Sequence, residues 1–87
     1  MVDIEVGDVV YSRAGHDKGG PYVVVATDGE FVYIADGDAR RVENPKKKNV
    51  KHINRTNYKS EEIAELCKAD AVENHMIRKA LDKINRL

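Results

Sequence analysis

Eighty-seven residues, 41% apolar and 34% charged, suffice for one small folded domain and are too few for a large enzyme core with a deep cleft. Fifteen Lys and Arg balance fifteen Asp and Glu, so the formal net charge at pH 7 is zero and the average field offers little to a polyanion. No apolar run is longer than Tyr22-Val23-Val24-Val25-Ala26, far below the roughly 20 residues of a membrane span.

Val9-Val10-Tyr11-Ser12 predicts a first strand, followed by a loop from Arg13 to Gly20 that holds three of the six glycines. Pro21 opens a second strand, Tyr22 to Thr27, at the one position where a missing amide donor breaks no ladder. A third covers Phe31 to Ile34 and a fourth Ala39 to Val42, broken by Pro45; a fifth, shorter run covers Val50 to Asn54. The steps Asp28-Gly29 and Asp36-Gly37 predict two type I′ hairpin turns, because both central residues of that turn need positive φ. Five short strands at this spacing point to a small antiparallel β-barrel or a strongly bent sheet. From Ser60 the apolar period becomes helical: Ile63, Leu66 and Cys67 share a face, then Ile77, Ala80, Leu81 and Ile84. Two short helices are expected, about 60–68 and 71–86, with Ser60 as N-cap of the first and Asp70 and Glu73 as a capping box for the second; one helix kinked near Ala69 is the alternative. The division is a barrel over residues 1–57 and a helical C-terminal extension over 58–87.

Catalytic chemistry is hard to find. His16, His52, His75 and the single Cys67 lie in four segments without metal-ligand spacing, and Gly15, Gly19 and Gly20 lack the Lys-Ser ending of a phosphate-binding loop. Cys67 on an apolar helix face reads as small, buried and inert. The expectation is a non-enzymatic protein with no cofactor and no metal. One cysteine and an acidic opening, Met1-Val2-Asp3-Ile4-Glu5, agree with a cytoplasmic protein and not with a secretory leader or membrane segment.

The zero net charge hides a polarised chain. Residues 1–38 carry Arg13 and Lys18 against eight carboxylates, whereas residues 39–60 carry Arg40, Arg41, Lys46, Lys47, Lys48, Lys51, Arg55 and Lys59 against Glu43 alone. Counterion release depends on local charge, so this block can grip a polyphosphate whatever the total. Pro45 is expected to hold the lysine run off the sheet. His52 and Asn44, Asn49 and Asn54 add groups suited to phosphate, sugar or base edges. Among the four tyrosines and one phenylalanine, Tyr58 stands in a polar stretch, where it either stacks on a base or pins the first helix to the barrel.

Gly7-Asp8-Val9-Val10-Tyr11-Ser12-Arg13-Ala14-Gly15-His16-Asp17-Lys18-Gly19, with the valine-rich strand after it, resembles the KOW motif. The continuation Ala35-Asp36-Gly37 and Pro45-Lys46-Lys47-Lys48, then Lys51-His52, is similar to short bacterial KOW-domain RNA-binding proteins, relatives of a KOW-type large-subunit ribosomal protein of archaea and eukaryotes. The likeness covers roughly residues 5–56, and Ile77-Arg78-Lys79-Ala80-Leu81 resembles the helical extension of the bacterial branch. It implies an SH3-like barrel that binds RNA through a KOW loop (Gly15, Asp17, Lys18, Gly19) and a basic strip. The expected RNA-binding residues are Arg13, His16, Lys18, Arg40, Arg41, Lys46, Lys47, Lys48, Lys51, His52, Arg55 and Tyr58. The partner it implies is structured ribosomal RNA or the large ribosomal subunit, in translation or ribosome assembly. His16 stands where such loops are usually basic, and overall neutrality is unusual for a permanent ribosomal component; both favour a transient binder. The alternative is a protein-interaction module, with a protein partner held by the C-terminal helices.

Overall fold

The computed structural model describes residues 4–13 and 20–85; within them the chain forms one antiparallel sheet followed by two helices. The strands are β1 (Asp8–Ser12), β2 (Pro21–Asp28), β3 (Phe31–Ala35), β4 (Lys46–Asn49) and β5 (Ile53–Lys59), in spatial order β4-β3-β2-β1-β5. A single 3₁₀ turn, Val50–His52, joins the two edge strands, and α1 (Glu61–Lys68) and α2 (Asn74–Asn85) complete the chain. The fold is mainly β with C-terminal helices, as expected. The hydrogen-bonded sheet is not closed, since β4 and β5 are its free edges; this order is compatible with a small SH3-like barrel.

Strand alternation sends side chains to two separate cores. On one face Val9, Val23 and Ala35 lie in cross-strand register, and Ile63, Ile77 and Leu81 from the helices cover them. On the other face Val10, Tyr22, Val24, Val32, Ile34 and Ile53 form a cluster whose remaining neighbours are Ile4 and Val50. Among the described residues neither α1 nor α2 contributes to this second cluster, yet Val10, Val24 and Ile34 are fully buried. Such burial on a face without helices is compatible with a sheet that bends over its own inner face. The run Val23-Val24-Val25 has no polar alternation because β2 is the central strand, flanked by β1 and β3 and buried on both faces.

The first Asp-Gly hairpin exists, shifted by one residue. Asp28 pairs with Phe31, so Gly29 and Glu30 are the central residues. Only Gly29 has positive φ (+60°), the type II′ pattern and not the expected type I′. The second hairpin is absent: after β3 the chain enters a loop, residues 36–45, in which the Asp36 carboxylate accepts from the amides of Asp38 (2.9 Å) and Arg40 (2.8 Å). Of the donors that a fourth strand at Ala39 to Val42 would have paired, Arg40 N–H goes to that carboxylate and Val42 N–H to the Asn74 side chain. The fourth strand is the lysine run itself, with Pro45 one residue outside it, so proline does not hold the lysines off the sheet. The expected strand at Val50 is the 3₁₀ turn, capped by Asn49, whose side chain accepts from the Lys51 amide. Strand structure resumes at Ile53 and runs to Lys59.

Ser60 caps α1 as expected, its hydroxyl accepting from the Ile63 amide at 3.2 Å. Asp70 does not cap α2. Its φ of +53° closes α1 in a Schellman motif, with Ala71 N–H donating to Leu66 O (2.8 Å) and Asp70 N–H to Cys67 O (3.1 Å). The α2 start is set by Glu73, whose carbonyl accepts from Met76 and Ile77.

Candidate nucleic-acid interface

The expected RNA-binding residues separate into distinct places. Arg13 follows β1 and donates its main-chain N–H to His52 O (2.7 Å), while its guanidinium reaches Lys51 O (3.4 Å). Val50 N–H donates to Glu30 O (2.9 Å), tying the same turn to the β2–β3 hairpin. Arg13, Lys51 and His52, brought together from distant segments, thus meet at the 3₁₀ turn between the two edge strands, all exposed. His16, Lys18 and the loop positions Gly15, Asp17 and Gly19 lie outside the described residues.

β4 leads into this turn along one sheet edge. Lys46 pairs with Ile34 and Lys48 with Val32, so these two share the inner face and are half-buried at its rim. Lys47 pairs with Tyr33 on the outer face and places its ammonium 4.4 Å from the centre of the Phe31 ring. Such a contact contributes about 0.5–1 kcal/mol at an exposed site, and it orients the lysine along the strand. Ion pairs among the described residues engage Arg41, Arg55, Lys59 and Lys68, and none engages Lys46, Lys47 or Lys51.

Other residues of the expected set are elsewhere. Arg40 and Arg41 belong to the loop at the opposite end of β3, where Arg41 Nε lies 3.2 Å from Glu43 Oε2. That loop is fastened to α2: Asn74 Oδ1 accepts from Val42 N–H (2.8 Å) and its amide donates to Glu43, which with Arg41 holds the Glu43 carboxyl below the usual carboxylate range. Arg55 leans on buried Asp8 (4.0 Å), whose carboxylate also accepts from the Glu5 amide. Tyr58, 44% exposed, lines a groove against the helices with Ile63 and Met76, away from the basic end.

Reasoning from sequence missed Tyr11. It is 37% exposed because its cross-strand neighbours, Pro21 and Asn54, are too small to cover the ring. Strand alternation puts Tyr11 on the face of Arg13, two residues on, so the pair Tyr11-x-Arg13 was the available signal. An exposed ring, an amide at Asn54 and the cations of Arg13 and Lys51 offer stacking, hydrogen bonding and charge where β1 meets β5 and the 3₁₀ turn. Cys67 is half-buried against the helix-side core, and burial pushes its thiol up, which disfavours the reactive thiolate. Among the described residues no group of three or more His, Cys, Asp or Glu side chains is placed to hold a metal ion, and no helix is long and apolar enough to cross a membrane.

No protein-family model matches the chain, and no curated protein matches it either.

Proposed function

We propose that this protein is a non-enzymatic, KOW-type RNA-binding module that grips structured RNA, ribosomal RNA foremost, by its backbone. The observation that carries the reading is the union of Arg13, Lys51 and His52 at the 3₁₀ turn, continued along β4 by Lys46 and Lys47, which have no carboxylate partner among the described residues. Lysines on a strand edge contact phosphates as point charges, and only Tyr11 and Asn54 are suited to touch bases, so recognition is of shape more than of sequence. Arg40, Arg41, Arg55 and Tyr58 drop out of the contact surface, and Tyr11 enters it. Its place of work is the cytoplasm, on the ribosome or an assembling large subunit.

Fluorescence anisotropy against labelled ribosomal RNA fragments at two salt concentrations tests this. The double variant R13E/K51E is expected to bind at least about tenfold more weakly, since two phosphate contacts become repulsions. Arg41→Glu, at the far end of β3, should bind like the wild type. Equal affinity of R13E/K51E and wild type would sink the reading. Co-sedimentation with large ribosomal subunits, reversed by high salt, tests the ribosomal part separately.

A further inference from the structure

The helices carry a second surface that RNA binding does not use. Between the end of β5 and the helix pair lies a groove of about 410 Å³. Along α2, Met76, Ala80 and Ile84 recur every fourth residue and line its floor beside Ile63. One position earlier, His75, Lys79 and Lys83 recur at the same interval and line its rim. An apolar stripe and a cationic stripe therefore run side by side along one groove.

The fold uses the apolar stripe only in part, as packing at the edge of the helix-side core. Ile77 and Leu81 are the α2 residues buried in the core, while Met76, Ala80 and Ile84 are only partly covered. Among the described residues Lys79 and Lys83 have no ion pair, whereas Lys59, also on the rim, is held by Glu5 at 2.6 Å. Glu62 is the one carboxylate among the lining residues. A methionine such as Met76 can adapt its shape to a guest, and exposed Tyr58 also lines the groove.

We infer that this groove docks an amphipathic acidic helix of a partner protein, with apolar residues seated between Met76, Ala80 and Ile84 and carboxylates facing Lys79 and Lys83. Charge complementarity selects the acid, and the apolar floor selects a peptide over a phosphate backbone, which has no apolar groups to bury. Concavity distinguishes it from a site for a flat lipid surface. The twelve residues of α2 span about 18 Å, so the guest is a helix of about three turns.

The test uses the full chain and a small set of labelled synthetic peptides with Leu, Ile or Phe at every fourth position and Glu beside them. Saturable binding is expected, lost when the apolar positions are scrambled at constant composition and at least about tenfold weaker for K79E/K83E. A peptide with Lys in place of Glu should bind K79E/K83E better than it binds the wild type. Both lysines are surface residues, and circular dichroism checks that the variant is folded. The inference is overturned if no peptide of the set binds, if scrambled peptides bind equally well, or if K79E/K83E weakens RNA binding instead. It is overturned also if the protein alone forms a dimer that K79E/K83E dissociates, for the occupant is then a second copy. Failure of RNA binding by R13E/K51E leaves this result untouched, so the two readings fall or stand separately.

Discussion

At Gly37 the backbone turns with φ +80°, and a Cβ there would run into the Asn74 carbonyl and approach the Arg78 side chain. Gly7 (φ +95°) does the same work at the other helix, lying where a Cβ would come within 2.7 Å of Ser60 O. Each glycine lets a helix start pack directly on the sheet. Gly37→Ala should cost about 2–4 kcal/mol, combining the left-handed backbone penalty with overpacking, as read from urea unfolding. A loss below about 1 kcal/mol would mean that α2 shifts freely. Asn74 is buried and makes two bonds to the loop before β4, so Asn74→Ala should cost about 1–3 kcal/mol by leaving the Val42 amide without a partner. The sequence marks Asp36-Gly37 as a turn but says nothing of Asn74, because its partners lie 31 and 32 residues away.

Among the elements, β4 departs most from expectation. Lys46-Lys47-Lys48 has poor strand propensity and follows a proline, yet it pairs with β3 over four residues. An edge position makes this tolerable, because a lysine's stem can lie along the sheet while its ammonium stays in water. The same charges blunt an open edge against pairing with another chain. Replacing all three lysines with Thr should raise strand propensity and remove that protection. The expected outcome is concentration-dependent self-association by light scattering, with the secondary structure retained; a variant that stays the size of the wild type would show that the edge is guarded by something else. The first three strands and both helices were legible from apolar period and end signals. The fourth and fifth were not, since their strand character comes from neighbours and not from their own residues.

On the whole molecule, the linear charge blocks do not survive folding as two faces. Glu5 and Asp8 from the acidic block lie against Lys59 and Arg55 from the basic one, so part of the apparent dipole cancels internally. On the proposed RNA surface, the cations that remain without a carboxylate partner among the described residues are Arg13, Lys46, Lys47 and Lys51. About four phosphate contacts predict that log affinity for RNA falls with log salt at a slope of about −3; a slope near zero would exclude the surface. Lys59 hydrogen-bonds and attracts the Glu5 carboxylate, holding its titration below the ordinary glutamate value, as Asn74 and Arg41 do for Glu43. Groups depressed on folding stabilise above their unfolded pKa and lose that contribution as pH falls through the folded one. Stability should therefore decline on acidification below roughly pH 4.3. The decline should be smaller in Glu5→Gln, as followed by thermal unfolding across pH. Both carboxylates are exposed, so the effect is modest.

Apolar period, turn residues and caps are local properties, and the sequence by itself therefore determined a mainly β chain, three of its strands, two helices and a basic segment. Which cations share a surface is a matter of register and end-to-end topology. Only the tertiary structure brought Arg13 to Lys51 and His52, sent Arg40 and Arg41 to the far end of β3, and set Tyr58 beside the helices. Contacts between residues tens of positions apart depend on the whole fold at once, and no short window of sequence contains them.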